Sequence, residues 1–86
     1  MPPVTIYTKA WCPYCLAAKD LLEKKRIAFR EIEITGNPDR RNDMIAKANG
    51  RSTVPQIFVG ERHVGGCDEL YALDSRGELD KLLRLA

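Results

Sequence analysis

The sequence predicts one α/β domain, residues 1–86, in which a four-stranded mixed sheet carries helices on both faces. Strand-like and helix-like segments follow one another in the order β-α-β-α-β-β-α, with a short helix at the end. A strand–helix–strand opening implies a parallel pair with a right-handed crossover. Two later strands separated by two turn residues imply an antiparallel hairpin. A chain of this length can bury a single core without disulfide crosslinks.

The first half of the chain opens with a strand and a helix. Val4–Thr8 is β-branched and aromatic, which is typical of a strand. Pro13 suits the first position of a helix that runs to about Lys25, because its missing N–H costs nothing there. The predicted apolar stripe of this helix consists of Leu16, Ala17, Leu21 and Leu22. Ile27–Ile34 is the second predicted strand; Ile32 and Ile34 share one face, and Ile27 and Phe29 the other.

A second helix is predicted between Asn37 and the stop signal Asn49-Gly50. Asn37 is its expected N-cap, Pro38 lies in its first turn, and Asp39 lies near the positive end of the helix dipole. Its apolar face is expected to consist of Met44, Ile45 and Ala48.

The remaining elements are a hairpin and two helices. Gln56–Val59 and the shorter Arg62–Val64 are predicted strands, joined by a tight turn at Gly60-Glu61. A helix follows from about Cys67 to Arg76, with Leu70 and Leu73 facing inward. Gly77 separates it from a last short helix marked by Leu79, Leu82 and Leu83.

Charge and hydropathy exclude several classes of function. Lysine and arginine number 14 and aspartate and glutamate 12, a net charge of +2, which is too small to indicate nucleic-acid binding. No apolar run approaches the ~18 residues that a membrane span needs. The opening segment, residues 1–4, lacks a charged region followed by an apolar stretch. We therefore expect a cytoplasmic protein that binds neither nucleic acid nor membrane.

Three cysteines carry the strongest chemical signal. Cys12 and Cys15 form a C-x-x-C at the start of the first predicted helix, and Cys67 lies far downstream. Helical geometry places the Cα atoms of the first two ~5 Å apart, within the range of a disulfide. The unpaired N–H groups and dipole at a helix N-terminus favour the thiolate of Cys12, and Lys9 adds a positive charge. Cys15 lies one turn inside the helix and is expected to stay protonated, so the pair predicts one nucleophile and one resolving thiol.

Two further segments are typical of a binding site. Thr53-Val54-Pro55 lies directly before a strand. If the Val54–Pro55 bond is cis, the Val54 backbone turns outward and can pair with an extended peptide; otherwise Pro55 is a loop proline that enters an edge strand. Gly65-Gly66-Cys67-Asp68 would let the backbone approach a ligand closely. Asp68 is then either a ligand-binding carboxylate or an N-cap or first-turn residue of the following helix.

These segments together resemble the glutaredoxin family, most closely its short bacterial dithiol members. The residues that carry the resemblance are Tyr7-Thr8-Lys9, Cys12-Pro13-Tyr14-Cys15, Thr53-Val54-Pro55-Gln56-Ile57-Phe58 and Gly65-Gly66-Cys67-Asp68. Two positions depart from the family's usual pattern. Trp11 stands where a small or polar residue is common, and Glu69 where a second aspartate is frequent.

The resemblance implies a thioredoxin-like fold and a glutathione-dependent thiol–disulfide oxidoreductase. Its expected catalytic residues are Cys12 and Cys15. Its expected glutathione-binding residues are Lys9, Tyr14, Thr53, Val54, Pro55, Gly66, Cys67 and Asp68, with a residue near Arg41 reaching the glycine carboxylate. The resemblance further implies a monomer that binds no permanent cofactor, and whose partners are glutathione and disulfide-containing or glutathionylated proteins.

The sequence also allows other functions. Cys12, Cys15, His63 and Cys67 could be counted as a zinc set. Some glutaredoxins carry an iron–sulfur cluster at a dimer interface, although those members usually lack a proline at the position of Pro13. A third alternative is an electron donor that thioredoxin reductase recharges. Cys67 is either a third redox thiol or a small residue tolerated near the ligand.

Overall fold

The computed structural model describes residues 2–84. In chain order these residues form β1 (Val4–Thr8), α1 (Pro13–Lys24), β2 (Arg30–Glu33), α2 (Pro38–Lys47), β3 (Gln56–Val59), β4 (Arg62–Gly65), α3 (Cys67–Ser75) and α4 (Glu78–Arg84). The predicted order of elements is therefore confirmed, including the short last helix.

The strands lie side by side in the order β2-β1-β3-β4. β1 is parallel to β2 and antiparallel to β3, and β3 and β4 form an antiparallel hairpin. The predicted mixed sheet is thus confirmed.

The strand pairing brings three distant segments to one end of the sheet. Tyr7, near the end of β1, pairs with Gln56 at the start of β3. Ile57, next to that start, pairs with Gly65 at the end of β4. The chain leaving β1, the chain entering β3 and the chain leaving β4 therefore emerge together, and all three of the motif segments lie there.

Helices cover both faces of the sheet and create two apolar clusters. The larger lies between the sheet and α1, α3 and α4; its buried members are Val4, Ile6, Ala18, Leu22, Ile27, Ile57, Val59, Cys67, Leu70, Leu73, Leu79 and Leu83. The smaller lies on the α2 side and comprises Tyr7, Ile34, Met44, Ala48 and Phe58. Within residues 2–84, the helices are too short or too polar to cross a membrane.

Two details of the sequence prediction are wrong. The second strand spans only Arg30–Glu33 rather than Ile27–Ile34, because only these four residues find partners on β1. Ile27 closes the turn after α1 instead: its N–H donates to the Leu22 carbonyl at 2.9 Å, and its side chain is buried.

The second error concerns the inner face of α1. Leu16 was expected in the apolar stripe, yet it is 63% exposed. The buried residues are Cys15, Ala18 and Leu22. Of the other predicted members of the stripe, Leu22 is buried and Ala17 and Leu21 pack against the core cluster, so the error is confined to Leu16.

Candidate active site

Cys12 stands at the N-cap of α1, as its position before Pro13 predicts. Its backbone is extended (φ −109°, ψ 105°), and its Sγ accepts a hydrogen bond from the Cys15 N–H at 3.2 Å. The first turn of α1 contains no acidic residue. An amide donor and an uncompensated helix N-terminus both favour a negative charge on this sulfur.

Cys15 lies one turn further on and is almost completely buried. Burial, and then the hydrogen bond with Cys12, raise the pKa of its thiol to about 12. At neutral pH this second cysteine therefore stays protonated, as its position one turn inside the helix predicted.

A cleft opens beside Cys12 where the three motif segments meet. Its lining consists of Tyr14, Arg51, Thr53, Val54, Pro55, Gly66, Cys67, Asp68 and Glu69. The Val54–Pro55 bond is cis, and the Val54 carbonyl oxygen is 3.9 Å from the Cys12 sulfur. A molecule in this cleft would therefore lie next to the sulfur that is best placed to react.

The buried amide of Gln56 holds one wall of the cleft. Its Nε2 donates to the Thr53 carbonyl at 2.9 Å and to the Thr53 hydroxyl at 3.2 Å. Its Oε1 is 2.6 Å from Nε2 of His63. A fully buried amide needs such partners, since an unsatisfied polar group in the core is costly.

The start of α3 forms the opposite wall, and its two glycines are required by close contacts. Gly65 has φ +118°, and a Cβ there would lie 2.5 Å from Oε1 of Glu69. A Cβ on Gly66 would lie 3.3 Å from the Pro55 carbonyl oxygen. These close contacts let α3 pack against the proline loop; the close approach of this backbone to a ligand stays a prediction.

Glu69 and Arg51 are the cleft residues that the sequence reasoning missed. Oε1 of Glu69 accepts from the Gly66 N–H at 2.6 Å and pairs with Nη1 of Arg51 at 2.8 Å. The bond from Gly66, and then that from Arg51, lower the pKa of this carboxyl. The spacing of Glu69 three residues after Gly66 is that of a capping box and could have revealed it. Arg51 has no local signal.

Asp68 does not cap α3. Gly66 is the N-cap, and Glu69 supplies the carboxylate that binds its N–H. Asp68 occupies the second helical position with an exposed side chain on the cleft. The N-cap interpretation is wrong for this residue, which leaves a first-turn carboxylate facing the cleft.

Cys67 lines the same cleft but is a poor nucleophile. Its side chain is buried, and burial followed by the charge of Asp68 raises the pKa of its thiol. A thiol with a raised pKa forms little thiolate at neutral pH, so these observations favour the small-residue interpretation over a third redox thiol.

Two expected binding residues lie elsewhere. Lys9 lines a separate groove, to which Cys12 also belongs. No residue of the helix around Arg41 lines the cleft, where the basic residue is Arg51.

The four residues counted as a possible zinc set do not come together. Among the residues that the structure describes, no three His, Cys, Asp or Glu side chains form a group that could hold a metal ion. His63 is bound to Gln56 and lies against the ring of Phe58, with 5.0 Å between the ring centroids.

Removal of the Glu69 carboxylate should destabilise the protein in a pH-dependent way. Glu69→Ala loses the cap on Gly66, which costs about 1 kcal/mol, or roughly 4–8 °C in melting temperature for a domain of this size. Because the pKa of Glu69 is lowered by folding, this stability is present at neutral pH and is lost as the pH falls through its folded pKa.

Thermal unfolding at neutral and acidic pH checks this expectation. The exposed Glu23, in the last turn of α1, supplies the control variant Glu23→Ala, which should change stability by less than about 0.5 kcal/mol. A difference between Glu69→Ala and the parent that persists unchanged at acidic pH would contradict the role of the carboxylate.

Comparison with known proteins agrees with this geometry. Residues 4–64 match the family model described as Glutaredoxin. A glutaredoxin of Pseudomonas aeruginosa is 58% identical over 83 residues, which cover 96% of this chain and 98% of that protein. The solution structure of glutaredoxin from Brucella melitensis matches with a TM-score of 0.85 at 51% identity, over 98% of this chain and 90% of that one. A crystal structure of a buckwheat glutaredoxin–glutathione complex matches with a TM-score of 0.84 at 30% identity, over 95% and 76%.

The similarity covers the sheet, the helices and the segments that form the cleft. The expected thioredoxin-like fold is confirmed by these structural neighbours. The chain belongs to the glutaredoxin family of thiol–disulfide oxidoreductases.

Proposed function

We propose that this protein uses glutathione as its reducing co-substrate to reduce glutathione mixed disulfides and protein disulfides. The observation that carries the proposal is the position of the Cys12 sulfur, 3.9 Å from a backbone oxygen that lines the cleft. A peptide bound along that backbone would present its own sulfur to Cys12. No permanently bound cofactor is needed for this exchange, and the reducing glutathione pool of the cytoplasm is the expected setting.

The cleft offers a partner for each end of glutathione. Thr53, Val54 and Pro55 would pair with its cysteinyl backbone, and Tyr14 would flank its cysteinyl-glycine end. The first-turn N–H groups of α3, which have no intrahelical acceptor, suit the α-carboxylate of the γ-glutamyl residue. The exposed carboxylate of Asp68 suits the ammonium group of that residue.

The reaction is a pair of thiol–disulfide exchanges. The Cys12 thiolate attacks the glutathione sulfur of a mixed disulfide, so that a Cys12–glutathione disulfide forms and the substrate leaves as a thiolate. A second glutathione thiolate then attacks the glutathione sulfur of this intermediate. Oxidised glutathione leaves, and the Cys12 thiolate is restored without any other electron donor.

The dithiol route requires Cys15 to lose its proton at the right moment. Two of the causes that raise the pKa of its thiol, the hydrogen bond and the charge interaction with Cys12, depend on Cys12 being a free thiol or thiolate. Once Cys12 is in a disulfide these causes vanish and burial remains. The pKa of Cys15 therefore falls from its resting value when a substrate is attached, while burial still holds it above the ordinary value of a thiol.

Two recycling systems test the proposal. Turnover of a glutathione mixed disulfide is measured with glutathione and glutathione reductase, and then with thioredoxin reductase in their place. We expect turnover in the first system only. Efficient turnover with thioredoxin reductase alone would instead indicate an electron donor of the thioredoxin type.

Asp68→Asn should raise the Michaelis constant for glutathione about tenfold, because a charge-assisted hydrogen bond to the ammonium is replaced by a neutral one. Asp39→Asn is the matched control. Asp39 also occupies the second position of a helix, α2, but does not line the cleft. The two variants should lose similar stability, so an equal change in their Michaelis constants would show that Asp68 has no role in binding.

A further inference from the structure

Trp11 is a residue from which the fold gains nothing. It is the single tryptophan of the chain, and its side chain is 98% exposed. Its backbone has φ +59°, a left-handed conformation that suits glycine or asparagine and disfavours bulky side chains. Strain of this kind concentrates at functional sites. The Trp11 side chain strains the backbone and is not buried against any other residue of the chain. It therefore points to a contact with another molecule.

The surroundings of Trp11 form a groove next to the reacting sulfur. We call it the Trp11 groove; it is lined by Lys9, Ala10, Trp11, Cys12, Cys15, Leu16, Lys19, Glu31 and Glu33. Cys12 does not itself line the cleft proposed for glutathione. Its sulfur is 3.9 Å from the carbonyl oxygen of Val54, which does line that cleft. The Cys12 sulfur therefore lies between two recesses that share no lining residue.

The exposed surface of this groove is apolar where it borders Cys12. Leu16, on the first turns of α1, is 63% exposed, and Trp11 directly precedes the nucleophile. Deeper in the groove, Lys19 and Glu31 are paired at 3.0 Å, and Glu31 also accepts from Thr8 at 2.7 Å. Because Lys19 and Glu31 already pair with each other, the groove offers the aromatic and aliphatic surface of Trp11 and Leu16 for recognition, with Lys9 and Glu33 as the other charged residues of its lining.

We propose that the Trp11 groove binds the protein half of a glutathione mixed disulfide and selects substrates with an aliphatic or aromatic residue beside the modified cysteine. A mixed disulfide has two halves, which must leave the reacting sulfur in different directions. With glutathione in the cleft, the polypeptide half extends over Trp11 and Leu16. This inference rests on the proposed function, which places glutathione in the cleft. It makes Trp11 a specificity-determining residue for the reaction.

Two peptides that differ only beside their cysteine test the groove. Each is joined to glutathione by a disulfide; one has leucine on both sides of the cysteine, and the other has serine. In a Cys15→Ser background, transfer of glutathione to Cys12 is the sole route. The leucine peptide should react about tenfold faster in kcat/KM than the serine peptide. Trp11→Asn, which suits the left-handed backbone, should reduce this ratio to within about twofold, whereas Trp11→Phe should keep at least half of it.

The disulfide of free cysteine with glutathione serves as the control substrate, since it has no polypeptide to dock. Its rate should stay within about twofold in both Trp11 variants. A leucine-to-serine ratio near one in the parent, or a ratio that Trp11→Asn leaves unchanged, would overturn the proposal.

Fluorescence separates docking from chemistry. The single tryptophan reports directly on the groove, so a leucine peptide with serine in place of its cysteine should shift the Trp11 emission to shorter wavelength. The all-serine peptide should not. If millimolar leucine peptide causes no shift in the Trp11 emission, the proposed role of the Trp11 groove is overturned, even if the transfer of glutathione is normal. A clear shift combined with no transfer of glutathione would contradict the proposed function and leave the groove standing.

Discussion

Replacement of Cys12 by serine is expected to abolish thiol transfer to every disulfide substrate, leaving only the uncatalysed exchange with glutathione. A hydroxyl at the N-cap of α1 still accepts the Cys15 N–H, so the fold is kept. The hydroxyl is nonetheless protonated at neutral pH and cannot form the disulfide intermediate. Turnover with glutathione and glutathione reductase measures the loss.

The buried Cys67 supplies the matched control for this variant. Cys67→Ser keeps the backbone N–H that faces the cleft and should leave turnover within about threefold, a change of under ~0.7 kcal/mol in the barrier. Retained activity in Cys12→Ser, or a hundredfold loss in Cys67→Ser without unfolding, would reverse the assignment of the nucleophile.

Replacement of Cys15 is expected to separate the two reactions of the protein. Cys15→Ser should keep the reduction of glutathione mixed disulfides, because that route needs only Cys12. It should slow the reduction of protein disulfides by about a hundredfold or more, since a tethered and oriented thiol acts at an effective concentration of up to roughly 10⁵ M. Parallel assays with a small glutathione mixed disulfide and with an intramolecular protein disulfide measure the split.

Because Cys15 is buried, a second variant at this position is needed beside Cys15→Ser. A hydroxyl at this buried position needs a hydrogen-bond partner, so Cys15→Ala is made as well and the melting temperature of each is recorded. Both variants should show the same split between the two substrates. Equal losses on both substrates, in a variant that is fully folded, would mean that Cys15 takes part in the first exchange.

The sequence predicted most of the fold because its signals are local. Pro13 marks the start of α1 and Asn37 caps α2, where its Oδ1 accepts from the Arg40 N–H at 3.1 Å. These features depend on residues within one helical turn, so they can be predicted from adjacent residues in the sequence. The strand pairing followed from connection lengths, which restrict topology strongly.

The details of packing were harder to predict. Leu16 has the spacing of a core residue but is exposed, because the sheet fixes the rotation of α1 and turns Cys15 inward instead. Ile27 is as β-branched as any strand residue, yet it closes a turn because β1 offers partners only from Arg30 onward. In both cases a tertiary contact overrides a correct local preference.

The candidate site divides in the same way. The sequence by itself determined the Cys12–Cys15 pair and its placement at a helix N-terminus, since both follow from spacing along one helix. Only the tertiary structure decided that the Glu69 carboxylate pairs with Arg51, 18 residues earlier. It likewise decided that Trp11 and Lys9 line a different groove from the cleft beside Cys12. These facts depend on how the three chain segments at one end of the sheet are oriented in space, and the pairing of distant strands sets that orientation.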